Sequence, residues 1–166
     1  MAMRFEERLS DRGGWSIGDG CSAARVLDLL STKTVFLMVR ELLYGTTRFD
    51  DFVGRTEVSA PAVSRALKQL KSARIVETAP YQAPGSRARE EYRLTAAGED
   101  LLPVFLALMQ WGDAHLQDGR PPLVFVEADT GRPLGVRVVA DDAPEPTSDD
   151  IEIRLNPAWH PEPADQ

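Results

Sequence analysis

One stretch limits the possible folds more than any other: "SAPAVSRALKQLKSARIVE", beginning at Ser59. Pro61 has no N–H, so it fits only the first turn of a helix, and Ser59 just before it is a favoured N-cap. At about 100° per residue, Val63, Ala66, Leu67 and Leu70 gather on one side, while Ala62, Ser64, Arg65, Lys68, Gln69 and Ser72 share the other. One face must be covered and one is left free. Upstream, "TTRFDDFVGRTEV" predicts a short helix around Asp50–Gly54 and then a turn. Two helices joined by a tight turn make a helix-turn-helix.

Downstream, "RIVETAP" and "REEYRLT" have the composition of strands, and Pro84 and Gly85 punctuate the "YQAPGSRA" between them. This predicts a two-stranded wing with Arg87 and Arg89 near its tip. Two helices are expected ahead of the helix-turn-helix. The first carries Ala23, Val26, Leu27 and Leu30, with Ser22 placed to cap it. The second carries Val35, Phe36, Val39, Leu42 and Leu43, with a cap at Ser31 or Thr32 and Gly45 at its C-terminal end. After the wing, a long helix capped by Thr95 places Leu102, Phe105, Leu108, Met109 and Leu116 along one side, with Pro103 in an early turn. A second copy of the chain is the simplest partner for such a stripe. Short β signals follow in "LVFVEA", "LGVRVVA" and "DIEIRL".

The expected fold class is therefore mainly α with some β: a winged helix-turn-helix, a long C-terminal dimerisation helix and a small β-rich extension. Residues 1–20 read as a flexible arm, 21–118 as the domain, and 119–166 as an acidic, hairpin-like extension with a disordered end.

Charge is unevenly divided along the 166 residues. The net is -7, yet the last 46 residues hold ten acids against three basic groups and account for all of it. Residues 55–93 instead carry eight basic groups and four acids. A local basic excess surrounds the free helix face, which suits an anionic partner. No apolar run reaches the ~18–20 residues of a membrane span, and the N-terminus lacks the apolar stretch of a signal peptide, so the cytoplasm is expected. Cys21 is the single cysteine, so no intrachain disulfide can form. His115 and His160 lie far apart, and there is no phosphate-binding glycine motif, no G-x-S-x-G and no metal-ligand set. No enzyme activity, cofactor or structural metal is expected.

"CSAARVLDLLSTKTVFLMVRELLYGTTRFDDF", "VSAPAVSRALKQLKSARIVE" and "EYRLTAAGEDLLPVFLALMQWGDAH" together resemble the HxlR family of bacterial transcriptional regulators, over about residues 21–116. The chain departs from the family pattern at Thr32–Thr34, where Gly-Lys-Trp is usual, and at "IVETAPY", where two basic residues are missing. The resemblance implies a homodimer that inserts the 59–73 helix into the major groove of double-stranded DNA. It makes Ser59, Pro61, Ala62, Ser64, Arg65 and Lys68 the groove-facing set, puts Arg87 and Arg89 on the wing, and sets Thr47 and Arg48 near phosphate. The chemistry agrees, since Arg reads guanine as a bidentate donor and basic contacts to phosphate supply affinity. A merely solvated helix face would carry the same residue types; the wing and the family resemblance favour DNA.

Some family members sense oxidants through a cysteine at the place of Cys21. Here that residue precedes a helix with Arg25 one turn on, a setting that favours thiolate. The small buried residue that happens to be cysteine is the alternative. The implied function is a DNA-binding regulator, in the first instance a repressor, on a pseudo-palindromic operator, with a redox or small-molecule signal left open. A winged helix used only for protein contacts and a MarR-like regulator are the other readings.

Overall fold

The computed structural model describes residues 11, 13, 21–82 and 89–137, and the backbone of residues 151–155. Four helices come first: α1 (Ser22–Leu29), α2 (Lys33–Leu43), α3 (Phe49–Thr56) and α4 (Ala60–Ser72). The hairpin β1 (Val76–Tyr81) and β2 (Arg89–Leu94) follows, then α5 (Ala96–Glu99) and α6 (Leu102–Leu116). A second antiparallel pair, β3 (Leu123–Glu127) and β4 (Ile151–Leu155), ends the described chain. The winged helix-turn-helix expected from the sequence is the observed fold.

Local chemistry sets the helix ends. The Thr32 hydroxyl accepts the Val35 N–H at 3.2 Å and caps α2. At the other end Gly45 takes φ +81° while the Thr46 and Gly45 N–H groups donate to the carbonyls of Glu41 and Leu42, which is a Schellman closure. α4 closes in the same way with Arg74 at φ +60°, a conformation that costs a non-glycine residue some energy. Two expected caps are not made. Ser59 stands at the N-cap of α4 without a side-chain bond, and Ser22 is the first residue of α1 behind an N-cap at Cys21. Carbonyls of Cys21 and Ser59 still accept from Arg25 and Val63, so both first turns close through backbone alone.

The main core is built from α2, α3 and α4. Val35, Met38 and Val39 of α2, Phe52 of α3, and Val63, Leu67 and Leu70 of α4 are almost fully buried. Phe52 meets Tyr92 of the hairpin edge-on at 6.0 Å, which fixes the wing to the helices. The Tyr92 N–H also donates to the Thr47 carbonyl at 2.8 Å. A polar network lies at the α2–α3 junction: buried Glu41 accepts from Arg40 at 2.8 Å and from the Thr46 hydroxyl at 3.0 Å, and Arg55 donates to Thr46 at 3.1 Å.

The single long helix expected from Thr95 is two helices. Thr95 caps only the short α5 by accepting the Gly98 N–H, and α6 starts afresh at Leu102 with Pro103 in its first turn. Pro103 cannot supply the N–H that a continuous helix needs, so it is tolerated in a first turn and not in a helix interior. Gly98 is packed under the Ile75 carbonyl so closely that an added β-carbon would lie 2.3 Å from that oxygen.

A second cluster joins α2, α6 and β3. Phe105 meets Phe36 at 6.2 Å, Tyr44 at 5.8 Å and Phe125 at 5.8 Å between ring centres. Burial raises the Tyr44 phenol above its ordinary value. The extension differs from expectation in its pairing. β3 pairs with β4, from Leu123 opposite Leu155 to Glu127 opposite Ile151, whereas the first residues of "LGVRVVA" run as a loop after one bridge between Val126 and Pro133. The predicted arm, the disordered end and the loop with Pro84 and Gly85 lie outside the described residues, apart from Asp11 and Gly13.

Candidate nucleic-acid interface

The free side of α4 presents the residues singled out from the sequence. Ser59, Pro61, Ser64, Arg65 and Lys68 are exposed, and Ala62 is half-buried at the edge of the same face. Because Val63, Ala66, Leu67 and Leu70 are anchored in the core, the helix is held in one orientation about its axis. Arg65 and Lys68 make no hydrogen bond or ion pair with any described residue, so both charges are available to a partner. Ala62 and Ser64 keep the face shallow, which permits close approach.

Gln69 does not belong to that face. It is half-buried, and its amide donates to the Leu29 carbonyl at 2.8 Å, joining α4 to the C-terminal end of α1. Angular placement on one helix put it with the free residues; its true neighbour comes from 40 residues upstream. Lys71 is likewise engaged, donating to the Thr78 hydroxyl of β1 at 2.7 Å.

Two of the remaining basic candidates lie together where the start of α3 meets the wing. Arg48, the N-cap residue of α3, lies over the Tyr81 ring with its guanidinium carbon 4.3 Å from the ring centre, and donates to the Tyr81 hydroxyl. Arg89, the first residue of β2, pairs with Asp50 of α3 at 3.1 Å with both side chains largely in solvent. Such an exposed pair is weak and exchanges easily for another anion. Thr47 is half-buried and acts through its carbonyl on the wing. Arg87 lies outside the described residues. The sequence reading did not single out Tyr81 or Asp50, because nothing in the periodicity of β1 or α3 announces a contact 33 or 39 residues away.

Cys21 is a free, half-buried thiol at the N-cap of α1. No group of three or more His, Cys, Asp or Glu capable of holding a metal is found among the described residues. Among the same residues, no helix is long and apolar enough to cross a membrane. Arg65 and Lys68 therefore stand unengaged on the exposed face of α4, while Arg48 and Arg89 are both engaged where the start of α3 meets the wing, Tyr81 and Arg89 being cross-strand partners.

This arrangement defines the protein as a winged helix-turn-helix protein. Residues 29–120, more than half of the chain, match the HxlR-like helix-turn-helix family, and the chain belongs to it. It is 35% identical over 98 residues to the uncharacterized HTH-type transcriptional regulator Rv3095 of Mycobacterium tuberculosis, covering 59% of this chain and 61% of that one. The match thus spans under two thirds of that relative's length. The uncharacterized HTH-type transcriptional regulator sll1512 of Synechocystis is 32% identical over 101 residues, which are 60% of this chain and 73% of the relative. Among solved structures, PA1607 superposes with a TM-score of 0.67 at 28% identity, over 75% of this chain and 87% of its own. The reduced form of the transcriptional regulator YodB from B. subtilis gives 0.51 at 25% identity, over 60% and 97%.

Proposed function

We propose that the protein is a cytoplasmic, DNA-binding transcriptional regulator that acts as a homodimer on a pseudo-palindromic operator, in the first instance as a repressor, and has no enzymatic activity. The observation that carries this reading is the core-locked α4 with Arg65 and Lys68 unengaged on its exposed face. α4 enters the major groove, where Arg65 reads base edges and Ser59, Pro61, Ala62 and Ser64 allow close approach. Arg48, Thr47, Lys68, Arg87 and Arg89 contact phosphate or its vicinity, and Arg89 exchanges Asp50 for a phosphate oxygen. The family and the names of its relatives support the same reading.

A second copy covers the apolar surface shared by α1 and α6. Leu27, Leu108, Trp111 and Leu116 are 68%, 53%, 58% and 73% exposed in the single chain, and α1 has no buried residue at all. An apolar surface of this kind marks an interface, and a twofold dimer would set the two α4 helices about 34–36 Å apart, one turn of DNA. Residues 21–118 are then the DNA-binding and dimerising domain, and 119–166 an acidic extension, whose β3 packs on α6 through Phe125 and Phe105.

The test is a fluorescence titration with DNA from the protein's own upstream region at several salt concentrations. Binding should weaken steeply with salt. Arg65→Ala should relax sequence preference, whereas Arg89→Ala should weaken all sites alike and flatten the salt slope by about one unit. Absence of salt-dependent binding would leave the winged helix as a protein-contact module. Repeating the titration after mild oxidant, with Cys21→Ser alongside, tests Cys21 as a redox input at the start of the dimer-facing helix; an unchanged affinity removes it from that role.

A further inference from the structure

We propose that the cavity between α6 and the C-terminal extension is a binding site for a small apolar amine, typically an aromatic ring on a short alkylammonium chain. The cavity holds about 330 Å³, within the ~300–1,000 Å³ range of small-molecule sites. Leu106 on α6, Phe125 on β3, and Pro133 and Leu134 on the following loop form its apolar walls. Asp113 is the single ionisable side chain among the lining residues, and its carboxylate makes no hydrogen bond or ion pair with any described residue.

The outer wall is fastened in place. The Val136 N–H donates to the Gln110 side-chain oxygen at 2.9 Å, and the Leu134 N–H donates to the Phe125 carbonyl at 2.9 Å. Gly135 lies so near α6 that a β-carbon there would stand 2.9 Å from the same Gln110 oxygen. The loop is thus clamped to the helix at its rim while the space behind it stays open. Partial burial raises the Asp113 carboxyl above its ordinary value; the Tyr44 phenol is its one ionisable neighbour of note, and no cation among the lining residues faces it.

This chemistry selects the ligand class. A cation supplies the missing partner of Asp113, an anion is repelled by it, and the walls take up an apolar body of one ring. A charge-assisted hydrogen bond in a partly desolvated site favours the cation by about tenfold in affinity over a neutral isostere. The cavity faces away from the dimer surface of α6, since Leu106, Gln110 and Asp113 stand opposite Val104, Leu108 and Trp111 on the helix. A ligand there wedges α6 against the extension without blocking dimerisation. Its use as a signal to the DNA-binding face rests on the regulator reading above; the binding itself does not.

The experiment is calorimetry on the full chain, without DNA, using phenethylamine as probe and 2-phenylethanol and 3-phenylpropionate as its neutral and anionic counterparts. Phenethylamine should bind about tenfold more tightly than 2-phenylethanol, and 3-phenylpropionate more weakly than either. Asp113→Asn should bring amine and alcohol to within about threefold of each other, and Ala114→Phe, which fills the cavity from α6, should abolish binding of both. The proposal is overturned if the wild-type chain takes up no phenethylamine at millimolar concentration, if amine and alcohol bind equally, or if both variants bind the amine as the wild type does. A chain that binds the amine and ignores DNA would sink the regulator reading and leave the site standing.

Discussion

Tyr81 shows how a single side chain can serve the proposed DNA-binding surface without belonging to it. Its ring underlies the Arg48 guanidinium and its hydroxyl accepts from it, so Arg48 is held beside the wing and does not sweep through solvent. A cation–π contact at an exposed site contributes ~0.5–1 kcal/mol. Tyr81→Ala should therefore weaken binding to every DNA sequence two- to fivefold with little change in melting temperature, while Tyr81→Phe, which keeps the ring, should retain most of the affinity; equal losses in the two variants would assign the role to the hydroxyl. Asp113 makes a different residue-scale prediction. Because burial raises its carboxyl, the folded state holds the proton more tightly than the unfolded chain, and that stabilisation is present at low pH and is lost as pH rises through the folded value. Asp113→Asn removes this loss. Urea unfolding from pH 3 to pH 7 should show the variant gaining on the wild type as pH rises above ~4, and a difference independent of pH would contradict it.

Between elements, the bond from Gln69 to the Leu29 carbonyl is the most informative contact. It ties α4, which carries Arg65, to α1, whose N-cap is Cys21 and which adds Val26 and Leu27 to the exposed apolar surface. α1 buries none of its own residues within the single chain, so Leu29 and Leu30, packed at the edge of the core, and this hydrogen bond hold its C-terminal end. Gln69→Leu should destabilise the fold by ~0.5–1.5 kcal/mol and should speed amide exchange in Ala23–Leu29 more than in α2. Uniform exchange in both helices would show that α1 is held by other means. The split between α5 and α6 belongs to the same scale: Gly98 and Pro103 impose it locally, one by close approach to Ile75 and the other by its missing N–H.

At the level of the whole molecule, α6 is apolar on more than one side. Leu102 and Phe105 enter the core, Leu106 lines the cavity under the extension, and Val104, Leu108 and Trp111 face outward beside α1. A helix with three apolar fronts needs three partners, and the single chain supplies two. If the proposed dimer forms through this front, Leu108→Asp should leave a monomer in sedimentation and cost most of the affinity for the proposed operator, because two half-sites would no longer be bound by one particle. A wild-type chain that sediments as a monomer at micromolar concentration would remove the dimer from the proposal.

Much of this was legible in the chain itself. Pro61 and the Val63–Leu70 spacing determine where α4 starts and which side is buried, and Gly45 marks the end of α2, because these are local restrictions on backbone and face that no tertiary context needs to supply. The winged helix-turn-helix follows from such local rules. The partners of the charges follow only from the tertiary structure. Arg48 finds Tyr81, Arg89 finds Asp50, and Gln69 finds Leu29 across separations of 33 to 40 residues. Sequence periodicity sets which side of an element a residue occupies; which other element passes over that side depends on how the whole chain packs, and so the pairing of β3 with β4 and the cavity at Asp113 are properties of the folded molecule alone.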